Sequence, residues 1–321
     1  MPTNAKFELK PGPATREAFG RTLVELGREN KDVVVVDADL SKSTMTTYFA
    51  KEFPDRFFSC GIAEANMVGV GAGLAMMGKI PFVASFSVFA VNKGFEQMRI
   101  GAAYGRSNLK VVGTHSGISI GEDGPSQMSV EEIALACSLA GFVVMAPADG
   151  ASTKALVRAA AAYYGPVFIR TGRPKALTVY GADQKFEIGK AIEVMEGKDV
   201  TIIASGLLVA QAILAAEALE TDGISARVID MHTVKPLDRD AISRAAAETR
   251  AIVVAEEHLV DGGLGVKVAQ VVTETHPCAM EFVGIHDRYA ESGQPEELLE
   301  KYGLVARDVA AAARKVLARK R

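Results

Sequence analysis

The chain has 321 residues, of which 49% are hydrophobic, 23% charged and 7% aromatic, and its formal net charge is -3. This composition is that of a soluble globular protein, and the length suits two domains of ordinary size. The small negative charge gives no electrostatic reason to expect nucleic acid or a membrane as a partner. A phosphate group would therefore have to be bound by a local cluster of basic residues.

The three cysteines predict neither a disulfide framework nor a metal site. Cys60, Cys137 and Cys278 are far apart and lack the spacing of metal ligands, which indicates reduced thiols. The first thirteen residues contain no apolar segment of the signal-peptide type, and no apolar run is long enough to cross a membrane. We therefore expect a cytoplasmic protein that binds no metal through its own residues.

Short aliphatic runs alternate with helical patterns in the first half of the chain. Runs that are apolar throughout are typical of parallel strands buried on both faces. Ser129 is expected to cap one helix, with Glu132 at its third position. The pattern predicts strands at 32–37, 80–84, 109–113, 142–146 and 167–170, and helices at 14–30, 130–140 and 151–162.

A polar stretch with Gly and Lys at 181–197 separates this series from a second one. We therefore predict an α/β protein of two domains, 1–184 and 185–321, each a mostly parallel sheet flanked by helices. The glycines at 69–73 lack the full dinucleotide spacing and indicate close helix packing. The second series predicts strands at 200–205, 226–230 and 251–256, and helices at 209–221, 238–249 and from 264.

Two short motifs could carry chemistry. Glu64 lies among small and apolar residues, just before a helix rich in Gly and Ala. It is either an ordinary carboxylate at a helix start or a buried acid that donates a hydrogen bond at neutral pH. Phe86 and Phe89 follow a predicted strand, where parallel sheets bind ligands. They could either stack on a flat heterocycle or pack in the core.

A third motif is the long polar loop 114–127, which follows the predicted strand at 109–113. It contains His115, Glu122 and Asp123 among several glycines. A histidine and two acids in a loop at the carboxyl end of a strand favour a functional site over a simple connection.

The chain resembles transketolases in three stretches that occur in the order of that family, at 61–67, 86–89 and 115–127. The resemblance extends over the whole chain. The stretch 121–127 resembles the animal-type branch. Many bacterial and fungal members have a histidine where Gln127 stands, so the role of that histidine is not carried over.

The resemblance implies thiamine diphosphate as cofactor, with five residues around it. Glu64 matches the catalytic glutamate that hydrogen-bonds the aminopyrimidine ring. Phe89 matches the ring stacked on the pyrimidine, with Phe86 beside it. Gln127 is implied to lie near the cofactor, and Asp39 near the thiazolium face.

The resemblance also implies a sugar-phosphate pocket. Arg16, Ser43, His115 and Arg173 match its residues, and His115 is expected to be catalytic as well. Asp123 matches the acid that binds a substrate hydroxyl. The two arginines offer forked donors that suit a phosphate, whereas Arg173 without the resemblance would be an ordinary solvated arginine.

Full-length members of the family begin with a domain whose Gly-Asp-Gly motif binds Mg²⁺ and the diphosphate. This sequence contains no Gly-Asp-Gly motif. We therefore expect a separate N-terminal subunit to hold Mg²⁺ and the diphosphate. The active assembly is expected to be an α2β2 heterotetramer, with a homodimer of this chain as the other possibility.

The predicted activity is transfer of a two-carbon ketol unit from a ketose phosphate to an aldose phosphate. The alternatives are a β-type subunit of a 2-oxo-acid dehydrogenase, a 1-deoxyxylulose-5-phosphate synthase and a non-catalytic regulatory subunit. The sugar-phosphate residues argue against the dehydrogenase, and the intact Glu64 against the regulatory subunit. The sequence leaves open which ketose phosphate is the donor, and whether the pathway is the pentose phosphate pathway or a specialised sugar breakdown.

Overall fold

A computed structural model describes residues 7–320 of the chain. Its strands form sheets of seven, five and two strands within that range. The strands are β1 (Pro11–Ala14), β2 (Val33–Asp37), β3 (Phe57–Ser59), β4 (Ile80–Phe86), β5 (Lys110–Thr114), β6 (Val143–Met145), β7 (Val167–Arg170), β8 (Lys175–Leu177), β9 (Ile192–Met195), β10 (Val200–Ala204), β11 (Ala226–Asp230), β12 (Thr233–Lys235), β13 (Ala251–Leu259) and β14 (Ala279–Ile285).

The helices lie between these strands and cover the two larger sheets. Short 3-10 turns occur at Pro54–Arg56 and Ile118–Ile120, and a π-helical segment at Met98–Tyr104 follows α5. The α-helices are α1 (Thr15–Glu29), α2 (Ser41–Thr44), α3 (Thr47–Glu52), α4 (Glu64–Met76), α5 (Ser87–Gln97), α6 (Glu132–Ser138), α7 (Gly150–Ala162), α8 (Leu208–Thr221), α9 (Arg239–Thr249), α10 (Leu264–Glu274), α11 (Pro295–Lys301) and α12 (Ala306–Ala318).

The seven-stranded sheet has the order β12-β6-β7-β5-β4-β2-β3, and its strands are parallel except β12. Every residue of β2, β5 and β7 is buried, because helices cover both faces of the sheet. The five strands predicted in this half are confirmed. Since the strands from β6 to β3 are parallel, their carboxyl ends all lie at one edge of the sheet.

The five-stranded sheet has the order β14-β13-β10-β11-β9, with only the edge strand β9 antiparallel. The predicted fold class, two mostly parallel sheets flanked by helices, is confirmed. After β11 the chain returns to the first sheet, where β12 pairs with β6. The boundary between 184 and 185 stays a prediction. Within residues 7–320, no helix has the length and apolarity that a membrane crossing requires.

The predicted cap at Ser129 is wrong. The helix begins three residues later, at Glu132, and no side chain caps it. Ser129 instead accepts a hydrogen bond from the backbone N–H of Gly117 (2.7 Å), while the carbonyl of Val130 accepts one from Leu259 (2.8 Å). These tertiary contacts hold Ser129 in a β-bridge with Gly117 and Val130 in a bend, neither of which the local sequence pattern indicated.

The glycines at 69–73 lie in α4, and only one of them is in tight contact. A methyl group at Gly71 would overlap Val83, whereas Gly69 and Gly73 have open space around them. The prediction of close packing therefore holds for Gly71 alone.

Candidate active site

The candidate residues lie along the carboxyl edge of the seven-stranded sheet. The chain leaves β2 toward Asp39 and Ser43, β4 ends at Phe86, and β5 ends one residue before His115. Arg173 lies three residues after β7. Tertiary structure thus brings together segments that are more than a hundred residues apart in sequence.

Four side chains at this edge form a continuous row. Arg16, in the first turn of α1, lies with its NH1 3.0 Å from Nε2 of His115. The ring of His115 stacks on Phe86 with 3.9 Å between centroids, and Phe86 stacks on Phe89 at 5.9 Å with an angle of 9° between the planes. The aromatic rings and the guanidinium group are therefore parts of one surface.

The hydrogen bonds of His115 indicate which ring nitrogen carries the proton. An arginine can only donate, so Nε2 accepts from Arg16, and Nδ1–H faces Oγ1 of Thr114 at 2.8 Å. Burial, together with the charges of Arg16 and Arg173, lowers the pKa of His115 to about 3. The imidazole is therefore neutral at pH 7, and its Nε2 lone pair is directed at a guanidinium group. His115 also has a positive φ of 57°.

Glu64 is the first residue of α4 and is 3% exposed. Nζ of Lys93 lies 3.4 Å from its Oε2 and also 4.6 Å from the centroid of the Phe89 ring. Lys93 therefore contacts both Glu64 and Phe89, the two residues that the resemblance places around the aminopyrimidine ring. A flat ring that used both groups would have to displace these contacts of Lys93.

Arg173 is held by the loop that follows β5. Its NH1 donates to the carbonyl of Ile120 (2.5 Å) and to Oε2 of Glu122 (2.9 Å). Its side chain is 34% exposed, so an incoming anion can reach it. Arg173 is thus an anchored arginine and differs from the freely solvated one considered as an alternative.

The other predicted residues lie on the segments that follow β2 and β5. Ser43 contributes its carbonyl, which accepts from Arg16 NH1 at 2.8 Å. Asp123 is exposed, and its charge counteracts the lowering of the Arg16 pKa that burial and Arg173 cause. Asp39 is exposed with a φ of 64°, and Gln127 is half-buried. Their predicted roles stay predictions.

Sequence reasoning did not identify Asp37 as part of the site. It is the last residue of β2, and its carboxylate accepts from the Leu40 backbone (2.6 Å) and from the hydroxyls of Thr44 (2.8 Å) and Thr46 (2.9 Å). Burial raises its pKa. Asp37 thereby fixes the turn that carries Ser43. A charged residue directly after four valines was the available signal.

A buried ion cluster lies behind the row and was also not predicted. Arg170, at the end of β7, donates to Glu132 at 2.6 Å and contacts the carboxylate of Glu257 at 3.3 Å. Burial disfavours the Arg170 cation, but the two carboxylates outweigh this effect and raise its pKa. Within residues 7–320 there is no group of three or more His, Cys, Asp and Glu side chains that could hold a metal ion.

Family models match most of the chain. The model described as "Transketolase, pyrimidine binding domain" matches residues 11–177, and that described as "Transketolase, C-terminal domain" matches residues 189–309. Together they cover the strands of all three sheets, the row Arg16–His115–Phe86–Phe89 and Glu64.

Similar proteins give the same result. A Methanocaldococcus jannaschii protein named for a transketolase C-terminal section is 43% identical over 92% of this chain and 93% of its own. The 6-deoxy-6-sulfo-D-fructose transketolase subunit SqwH of Clostridium sp. (strain MSTE9) is 40% identical over 99% of both chains. A solved structure described as a split gene transketolase, inactive beta4 tetramer, covers 97% of this chain and is itself covered completely, with 50% identity and a TM-score of 0.91. The chain belongs to the transketolase family.

Proposed function

We propose that this chain is the C-terminal subunit of a two-chain, thiamine-diphosphate-dependent transketolase. With a separate N-terminal subunit it transfers a two-carbon ketol unit from a ketose phosphate to an aldose phosphate. The observation that carries the proposal is the row Arg16–His115–Phe86–Phe89, with Glu64 beyond it. It combines an anion-binding end and a ring-binding end on one edge of the sheet.

At the ring-binding end, this chain controls orientation and one proton. Thiamine diphosphate, when bound, supplies the nucleophilic carbon and the electron sink for ketol transfer. Phe89 would stack on the pyrimidine, supported by the parallel ring of Phe86. Glu64, which is almost fully buried, would hold a proton at a pyrimidine ring nitrogen. For this to happen, Lys93 must release the carboxylate that it contacts here.

At the anion-binding end, Arg16 and Arg173 would bind the phosphate through their forked N–H groups. Arg173 reaches the phosphate by exchanging its contact with Glu122, whose side chain is 52% exposed. Neutral His115 would donate its Nδ1–H to the hydroxyl of Thr114. Its Nε2 would accept a hydrogen bond from Arg16 and so orient the guanidinium group. Asp123, whose side chain is exposed, would accept a hydrogen bond from a substrate hydroxyl.

The partner would be an N-terminal chain that holds Mg²⁺ and the diphosphate, in a cytoplasmic α2β2 assembly. Two similarities support a separate N-terminal subunit: the archaeal relative named for a C-terminal section, and the neighbour described as an inactive tetramer of a split transketolase. The anionic group of the donor sugar could be a sulfonate in place of a phosphate. Since SqwH is named for a 6-sulfo sugar, a sulfonate donor is the second candidate, and the two arginines suit either tetrahedral anion.

The test is reconstitution with the N-terminal transketolase chain of the same organism. The isolated chain should transfer no ketol unit and bind thiamine diphosphate weakly, whereas the mixed complex should be active. Phosphorylated and sulfonated ketoses are compared as donors, and 2-oxo acids test the dehydrogenase alternative. Robust transfer by the rigorously purified single chain would contradict the two-chain proposal. A complex inactive toward all ketoses would contradict the transketolase activity.

A further inference from the structure

Glu257, near the carboxyl end of β13, connects the second domain to the candidate active site. Its Oε1 accepts from the backbone N–H of Ser119 (2.7 Å), in the loop that carries His115 and Asp123. Its Oε2 lies 3.3 Å from Arg170 NH2, which also donates to the Glu257 carbonyl at 2.8 Å. The side chain is only 1% exposed. A carboxylate from one domain thus accepts hydrogen bonds from two elements of the other.

The loop lies directly against this carboxylate. Gly117 has a φ of 80°, and a methyl group at this position would overlap the Glu257 carboxyl group. One residue beyond Ser119, the carbonyl of Ile120 accepts the 2.5 Å hydrogen bond from Arg173. The contacts therefore run from Glu257 through two consecutive loop residues to an arginine of the predicted phosphate pocket.

The second domain also supports the loop further along. A methyl group at Gly121 would lie 3.0 Å from the ring of Pro295, and Ser292 lies against Gly124. These contacts are steric, whereas Glu257 provides the charged, directional one. Replacing the carboxylate by an amide leaves one acceptor oxygen for two buried donors, the Ser119 N–H and Arg170 NH2. One of them then loses its acceptor, which costs more than losing a bond exposed to water.

We propose that Glu257 is a positioning residue, which fixes the backbone at Ser119 and Ile120 so that His115, Asp123 and Arg173 face the anionic end of the substrate. The link from loop order to substrate affinity rests on the proposed transketolase function. The contact itself does not, because it lies within this chain.

Glu256 provides a matched control. It precedes Glu257 in the same strand, is 2% exposed, and its carboxylate also accepts backbone hydrogen bonds. Its partners are the amides of Leu264 (2.7 Å) and Gly265 (2.8 Å), at the start of α10. The same substitution at 256 and 257 therefore perturbs a buried glutamate in both cases. Only the change at 257 affects the loop 115–127, which contains Ser119.

The experiment compares Glu257→Gln and Glu256→Gln with wild type by hydrogen–deuterium exchange and mass spectrometry on the isolated chain. Glu257→Gln should speed exchange in the peptide 115–127 about tenfold, and Glu256→Gln only around 262–268. In the reconstituted enzyme, Glu257→Gln should raise KM for the ketose phosphate about tenfold with a smaller change in kcat. Glu256→Gln should leave KM near wild type.

If Glu257→Gln does not fold, Glu257→Asp replaces it, because it keeps the charge opposite Arg170 and shortens the reach to Ser119. A folded variant with unchanged exchange at 115–127 would overturn the proposal. So would faster exchange with a KM like that of wild type. If wild type itself transfers no ketol unit, the proposed function fails, and the exchange experiment still decides whether Glu257 fixes the loop.

Discussion

The two large sheets have similar parallel topology, yet the polar groups at their carboxyl ends serve different purposes. At the edge of the seven-stranded sheet, Arg16 and Phe89 are half-buried and Asp123 is exposed. At the edge of the five-stranded sheet, Asp230 and Glu256 are both at most 2% exposed. The first edge offers some accessible polar side chains beside the buried Glu64 and His115. The second is closed around Asp230 and Glu256, although His286 and Asp287 after β14 are exposed.

The closed edge uses its polar groups within the chain. Glu256 accepts hydrogen bonds from the first amides of α10, and Glu257 accepts one from the loop at the other edge. Asp230 accepts from the hydroxyl of Tyr180 at 2.7 Å. The comparison teaches that the carboxyl end of a parallel strand indicates a ligand site only where some polar side chains, here Arg16 and Asp123, are at least partly exposed to solvent.

The largest effect is expected for Glu64, at the open edge. In the reconstituted complex, Glu64→Ala should slow proton exchange at C2 of the cofactor about 10²- to 10⁴-fold, because no carboxyl group then holds the proton at the pyrimidine. The exchange is measured by NMR after acid quenching. The exposed Glu220, in the second domain, serves as Glu220→Ala control and should leave the rate unchanged. A Glu64→Ala rate within a few-fold of wild type would reduce Glu64 to a helix-start carboxylate.

An intermediate effect is expected for Arg173. Arg173→Ala should raise KM for phosphorylated sugars by about one to two orders of magnitude, since charge-assisted hydrogen bonds contribute roughly 1.5–3 kcal/mol. Non-phosphorylated sugars should be almost unaffected. Arg314 is a suitable control, because it also pairs with a carboxylate, Asp222 at 2.6 Å, but lies in the second domain. Equal losses for both kinds of sugar would mean that Arg173 is structural.

The last effect, on stability and not on activity, is expected for Asp230, at the closed edge. Burial raises the pKa of Asp230 to about 7, and the charge of Asp149 adds to this. Between pH about 4 and about 7 the folded state holds a proton that the unfolded state has released. Stability should therefore fall as pH rises through this window, by at most about 1.4 kcal/mol per pH unit, and level off above it.

The predicted fall in stability with rising pH is tested with Asp230→Asn. The asparagine can still accept a hydrogen bond from the Tyr180 hydroxyl but cannot titrate. Urea unfolding of the isolated chain at pH 5, 6, 7 and 8 should give a flatter dependence for this variant than for wild type. Asp183→Asn, at an exposed position, should keep the wild-type slope. Identical slopes for wild type and Asp230→Asn would show that the closed edge does not hold a proton.

Much of the fold could be predicted from local pattern. The valines of β2 and the aliphatic runs of β4, β5, β7 and β10 were recognisable because strands buried on both faces are apolar throughout. Element ends were less predictable. Residues 129–130 have the pattern of a helix start, but Ser129 forms a β-bridge with Gly117, and the carbonyl of Val130 accepts a hydrogen bond from Leu259.

The sequence by itself determined the two-sheet architecture, the family and the candidate residues, because these depend on periodicity and on short motifs such as 61–67 and 121–127. Only the tertiary structure decided which groups meet. Glu257 and Ser119 are 138 residues apart, and Arg16 and His115 are 99 apart. Hydrogen-bond partners at such separations leave no periodic signal in the chain, because it is the order of strands in the sheets that brings them together.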